Sequence, residues 1–120
     1  RQDGFVTTVW GRRRYLPNLL SPNPTLRRAA ERMAINFPVQ GTAADIMKVA
    51  MINVDHWLAN NFTWTEARLV LQIHDEILIE ASNKLIDKIT ATVPSLMTEI
   101  IALSVPLVVS TTVGDSWAEL

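Results

Sequence analysis

The sequence predicts an α+β domain in which a small antiparallel sheet carries packed helices, and three observations predict it. An N-terminal run rich in β-branched and aromatic residues is punctuated by a glycine. A long stretch repeats its apolar residues at three- and four-residue steps. Two short apolar runs flank a charged triplet, His74-Asp75-Glu76. Period-two and period-3.6 patterns segregated in this way fit helices packed on an antiparallel sheet. At 120 residues the chain makes one domain at most, 1–120, able to bury a core but no large cleft of its own.

The elements follow in order. Gly4 to Trp10 and Arg12 to Leu16 form a β-hairpin around Gly11, with arginines on the second strand. Prolines, asparagines and a serine between Asn18 and Pro24 mark a loop, and Thr25 is the expected N-cap of a helix starting at Leu26. That helix runs toward Asn36. Pro38 must kink or end it, because proline donates no hydrogen bond and crowds the carbonyl of Ala34. A long helix follows, with Ala43, Ile46, Met47, Ala50, Met51, Val54 and Leu58 on one core-facing side. After Asn60-Asn61, Ala67 to Ile73 and Ile77 to Ala81 read as strands. Ser82 caps a further helix with apolar residues Leu85, Ile86, Ile89, Val93, Leu96, Met97 and Ile100, kinked at Pro94. Residues 105–113 form a last strand with Pro106 near its start, and Trp117 folds back over apolar surface.

Composition narrows the function classes. Hydrophobic residues are 48% and charged residues 19%, the balance of a globular chain. The apolar runs are far shorter than the roughly 20 residues of a membrane span, and Arg1-Gln2-Asp3-Gly4 has no signal-peptide pattern. The expectation is a soluble, intracellular protein without a membrane partner, cytoplasmic or nucleoid-associated if bacterial. Without cysteine there is no disulfide and no thiolate zinc site. The net charge of −1 conceals a split: residues 1–32 hold seven arginines against Asp3 and Glu31, a balance of +5, while the other 88 residues hold four basic and ten acidic side chains, a balance of −6. Such a basic block attracts polyanions, nucleic acid among them; a solvated basic surface is the alternative.

Two constellations carry possible chemistry. A charged triplet between apolar strands is costly unless it forms a turn or a ligand site. A hairpin tip that lifts one carboxylate above a sheet is a seat for Mg²⁺, which takes one or two carboxylates plus water and substrate phosphates. Successive strand residues point to opposite faces, so Asp75 is assigned as the metal ligand and Glu76 as its supporting neighbour. A solvated polar turn stays open beside that reading. The second constellation is Arg32, Asn36 and Gln40, spaced four apart and so roughly on one helix face. An arginine and two amides in a row can donate to the acceptors that every base pair shows in the minor groove. Helix capping and surface solvation are the alternative there.

Three blocks in succession, Gly4-Phe5-Val6-Thr7-Thr8-Val9-Trp10-Gly11-Arg12-Arg13-Arg14-Tyr15-Leu16-Pro17, Ala30-Glu31-Arg32-Met33-Ala34-Ile35-Asn36-Phe37-Pro38-Val39-Gln40-Gly41-Thr42-Ala43-Ala44-Asp45-Ile46 and Leu71-Gln72-Ile73-His74-Asp75-Glu76-Ile77, resemble family A, DNA polymerase I-like, enzymes. The closing Gly114-Asp115-Ser116-Trp117 resembles that family's C-terminal Gly-x-x-Trp. The resemblance implies the C-terminal part of a polymerase palm, with the first metal aspartate, fingers and thumb lying upstream of these residues.

By that resemblance Asp75 matches the second metal-binding aspartate, Glu76 its acidic neighbour, and His74 the histidine against the primer strand. Arg32, Asn36 and Gln40 match residues that contact the primer-template near the minor groove. Arg12, Arg13 and Arg14 are read as phosphate contacts or sheet-edge support. The implied reaction is in-line attack of a primer 3′-hydroxyl on the α-phosphate of a deoxynucleoside triphosphate at a two-metal Mg²⁺ site, completed by the remainder of the polymerase in cis or in trans. The competing readings are a non-catalytic DNA-binding fragment, a subunit of a split polymerase, and a His-Asp metal phosphohydrolase. The last needs several imidazole ligands, and the chain has only His56 and His74.

Overall fold

The computed structural model describes residues 4–120, and Arg1 and Asp3, counted in the charge balance above, lie outside the described residues. Two two-stranded antiparallel sheets and two α-helices form an α+β arrangement, and the chain sorts into two compact units that meet between Ile46 and Met47 in sequence. No helix among the described residues is long and apolar enough to cross a membrane.

In the first unit, β1 (Phe5–Thr7) pairs with β2 (Arg13–Tyr15), Phe5 opposite Tyr15 and Thr7 opposite Arg13. Gly4 at φ 70° and Gly11 at φ 84° occupy the left-handed region that glycine enters without a Cβ penalty. The chain then turns through a short 3-10 stretch, Pro17–Leu20, into α1 (Pro24–Asn61). The N-cap of α1 is Asn23, not Thr25: the Asn23 side-chain oxygen accepts the Thr25 backbone N–H at 2.9 Å, and Pro24 takes the first helical position, where its missing donor costs nothing. Leu16, Leu19 and Ala30, with Val6 and Ala34, make the small core of this unit.

Pro38 does not end the helix; α1 is continuous for 38 residues. The lost bond to Ala34 is one among many. The ring of Phe37, buried next to the proline, holds the helix at that point against the β1–β2 hairpin. The core stripe is also shorter than its periodicity predicts. Ala50, Val54 and Leu58 are buried, but Ala43 is exposed, because the first half of α1 turns its buried side, Phe37, Thr42 and Asp45, toward the hairpin instead.

The second unit centres on Val54, Leu58, Ala67, Ile89 and Val93, with Trp57, Phe62, Leu69, Ile77 and Ile79 packed around them. β3 (Ala67–Ile73) pairs with β4 (Glu76–Ala81), with a bulge at Val70 between Leu69 and Leu71. Glu76 belongs to β4 rather than to the turn. α2 (Ile86–Thr98) runs through Pro94, burying Ile89 and Val93, and stops two residues short of Ile100. Ser82 caps no helix with its side chain: a 3-10 turn, Asn83–Leu85, intervenes, and the Ser82 carbonyl accepts the Leu85 N–H. Residues 105–113 form no strand. Their β-branched residues suit a strand, but neither β3 nor β4 pairs with them, and Val105, Val108 and Val113 stay exposed. Trp117 does reach the β3–β4 hairpin, beside Leu71, Ile73, Ile77 and Leu78, while remaining 58% exposed.

Candidate nucleic-acid interface and metal seat

The β3–β4 register leaves two residues, His74 and Asp75, to reverse the chain between Ile73 and Glu76. A turn this short demands unusual backbone angles, and His74 supplies them at φ 51°, a conformation costing about 1 kcal/mol for a residue with a Cβ. Gln72 offsets that cost. Its side-chain amide donates to the His74 carbonyl at 2.6 Å and closes the turn from within β3. Asp75 is therefore carried, exposed, at the tip of a braced hairpin, and Glu76 begins β4 beside it, also exposed.

Among the described residues no group of three or more histidine or acidic side chains is placed to hold a metal. A single carboxylate on a rigid exposed tip fits Mg²⁺ as one ligand of a shared site, since that ion takes few protein carboxylates and leaves positions for phosphate oxygens. Glu76 begins β4, its backbone paired opposite Ile73 and its side chain exposed.

The other assigned residues lie on α1. Arg32, Asn36 and Gln40 line an open groove of about 310 Å³ together with Arg14 from β2, over a floor of Ala29, Met33 and Phe37. The i, i+4, i+8 spacing holds because the helix runs unbroken through Pro38. Among the described residues, the side chains of Arg14, Arg32, Asn36 and Gln40 make no hydrogen bond or ion pair. Arg14 instead stacks over the Phe37 ring, 5.7 Å from guanidinium carbon to ring centre. Two guanidiniums and two amides thus open onto one groove with their donors unspent, a surface suited to an acceptor-rich anionic polymer.

The three consecutive arginines have divergent surroundings. Arg13 lies over the Phe5 ring at 4.5 Å. Arg12 donates from Nε to Asp45 Oδ1 at 2.7 Å and from its terminal nitrogen to the Gly41 carbonyl at 3.3 Å. Asp45 is buried, and sequence reading had no means to pair it with a residue 33 positions away. Phe37 was missed as well, although an aromatic four residues before a mid-helix glycine is a legible packing signal.

Residues 1–119 match the family model described as DNA polymerase family A. It is 48% identical to DNA polymerase I of Pseudomonas aeruginosa and 50% identical to DNA polymerase I of Mycobacterium tuberculosis, in each case over 98% of this chain and 13% of the relative. Among solved structures it resembles the POL domain of Pol1 from M. smegmatis in complex with DNA primer-template and dNTP, with a TM-score of 0.82 and 48% identity, over 89% of this chain and 18% of that one. The chain thus spans about an eighth of the length of the curated relatives it matches.

Proposed function

The chain belongs to DNA polymerase family A, and from that premise we propose that it contributes the second metal-binding carboxylate and part of the primer-template surface to DNA-templated nucleotidyl transfer. The observation that carries the proposal is the placing of Asp75 at the exposed tip of a turn braced by Gln72. The solved relative, which holds primer-template DNA and dNTP, supports deoxynucleoside triphosphates and duplex DNA as partners.

Each residue has a defined task in this reading. Asp75 gives one carboxylate to a divalent metal site, and the stiffness of the two-residue turn holds that charge where negative charge develops on the phosphate, which is worth most when no rearrangement is needed. Divalent metal bound there supplies charge stabilisation to the attacking and leaving oxygens. His74, next to it, faces the primer strand. Arg32, Asn36 and Gln40 donate to minor-groove acceptors shared by all base pairs, which checks duplex geometry and reads little sequence. Arg14 neutralises a backbone phosphate. The first metal aspartate and the groups that grip the nucleotide come from the rest of a longer polymerase, since the chain spans about an eighth of the relatives' length.

Primer extension tests the reading directly. The chain is assayed with Mg²⁺, primer-template and all four nucleotides, alone and with the proteins that co-purify from its source, beside an Asp75→Asn variant. The chain alone, which holds one of the two metal aspartates in this reading, is expected to give no extension; with the rest of the polymerase supplied, extension that falls on the order of 10³-fold in the variant, with duplex affinity retained, is the expected result. Extension equal in the variant and the wild type removes Asp75 from the metal site. Failure of both conditions to extend makes this a duplex-binding fragment, with the chemistry belonging to a longer parent.

The groove has its own measurement. Arg32→Ala and Gln40→Ala each weaken primer-template binding by about 1–3 kcal/mol, the scale of a hydrogen bond to a charged partner. Unchanged affinity in both would remove α1 from the interface.

A further inference from the structure

The pairing of Arg12 with Asp45 is not used by any contact assigned above, and it is built unlike an ordinary surface ion pair. Asp45 is 8% exposed, the Nε–Oδ1 distance is 2.7 Å, a second guanidinium nitrogen reaches the Gly41 carbonyl, and the guanidinium carbon lies 5.5 Å from the centre of the Phe37 ring. A second tie runs parallel to it: the Val9 N–H donates to the Thr42 hydroxyl at 3.0 Å. Inside the loop, the Arg12 N–H donates to the Thr8 hydroxyl and the Thr8 N–H to the Arg12 carbonyl, so the clamped residues form one rigid turn.

The clamp matters because of what leaves it. Strands of three residues have little stability of their own, so the position of the β1–β2 hairpin depends on what grips it. Arg14 follows Arg12 by two residues, which returns it to the same side of an extended chain, and it stands over the same Phe37 ring. Phe37 is at once the anvil for Arg12 and part of the groove floor.

We propose that Asp45 is a positioning residue for duplex binding: by holding Arg12 it fixes the β1–β2 hairpin so that Arg14 enters the groove beside Arg32, Asn36 and Gln40. The inference rests on the reading of that groove as a primer-template contact. In this proposal Asp45 does not touch DNA; its carboxylate acts through Arg12 and the hairpin that Arg12 holds.

The test is a fluorescence-anisotropy titration of the protein with a labelled primer-template duplex across a range of salt concentrations. The variants are Arg14→Ala, Asp45→Asn and the two combined. Asp45→Asn is expected to weaken binding roughly tenfold and to flatten the slope of log affinity against log salt by about one, as Arg14→Ala does through its lost phosphate. The double variant is expected to bind no worse than Arg14→Ala alone, since the same contact has already gone. Losses that add, or an Asp45→Asn variant with wild-type slope and affinity, overturn the proposal. Should Asp45→Asn lose its far-ultraviolet dichroism, Arg12→Lys decides the matter by the same criteria, because lysine keeps the charge and lacks the fork that grips Asp45 and Gly41 together. Arg32→Ala and Gln40→Ala separate the two levels of argument. Weakened binding in those variants beside an unaffected Asp45→Asn overturns the positioning role only; unchanged binding throughout overturns the groove and the positioning role with it.

Discussion

A glycine in the middle of a helix ordinarily costs roughly 1 kcal/mol relative to alanine, so replacing Gly41 would be expected to stabilise α1. The surroundings reverse that sign. A Cβ at position 41 would stand 2.8 and 2.9 Å from two carbons of the Phe37 ring and 3.0 Å from the Thr8 methyl. The ring cannot swing aside freely, since Arg12 and Arg14 both lie over it. Overpacking of this kind costs about 1–3 kcal/mol and outweighs the gain in helix propensity. Gly41→Ala is therefore expected to lower stability by about 1 kcal/mol, read as a lower urea midpoint, and to weaken duplex binding by moving the groove floor. A raised midpoint would show that the ring is mobile. Nothing in the local sequence marks this crowding fully, because Thr8 is 33 residues away and only Phe37 is near enough to be read by helical spacing.

The elements formed by local pattern were the legible ones. The β3–β4 hairpin follows from two apolar runs and a polar break, and its observed ends differ from the expected ones only in giving Glu76 to β4. The amphipathic spacing of α2 likewise survives Pro94, whose cost stays local. α1 was harder to read, since proline weighs heavily on a rule built from neighbours but is one residue among 38 in the helix. The connection into β3 carries a prediction of its own. The Glu66 carboxylate accepts the Thr63 backbone N–H and the Thr63 hydroxyl, each at 2.9 Å. Those two donors, the backbone one first, hold its pKa below the ordinary value of 4.5, with Lys84 adding a smaller pull in the same direction and desolvation opposing it. A carboxylate favoured in the folded state stabilises fully above its unfolded pKa, and that contribution disappears as the pH falls through the lowered folded value. The gap in urea midpoint between wild type and Glu66→Gln is thus expected to be constant near neutrality and to shrink below about pH 4.5. A gap independent of pH would mean that the Thr63 bonds do not discriminate between the charged and neutral forms.

At the scale of the whole molecule, charge is distributed along the chain in a way the total conceals, with +5 in residues 1–32 and −6 in the remainder. Arg14 and Arg32 in the groove belong to the basic block, residues 1–32. The phosphate that Arg14 neutralises should contribute close to 0.9 to the fall of log affinity with log salt, so a slope of at least roughly 0.9 is expected for primer-template binding. A flat salt response would place Arg14 off the backbone. The family was legible from three blocks of residues, but the last expected strand was not borne out, because β-branched composition favours an extended chain without supplying an edge to pair with. That unpaired stretch has a colloidal consequence. Residues 107–112, Leu-Val-Val-Ser-Thr-Thr, are uncharged, rich in β-branched side chains and free of proline, and Val108 is 85% exposed. Segments of that composition stack in register with copies of themselves into dry cross-β interfaces. At high concentration the protein would therefore be lost first through this segment as fibrillar precipitate, and a single charge set among those valines would keep it in solution.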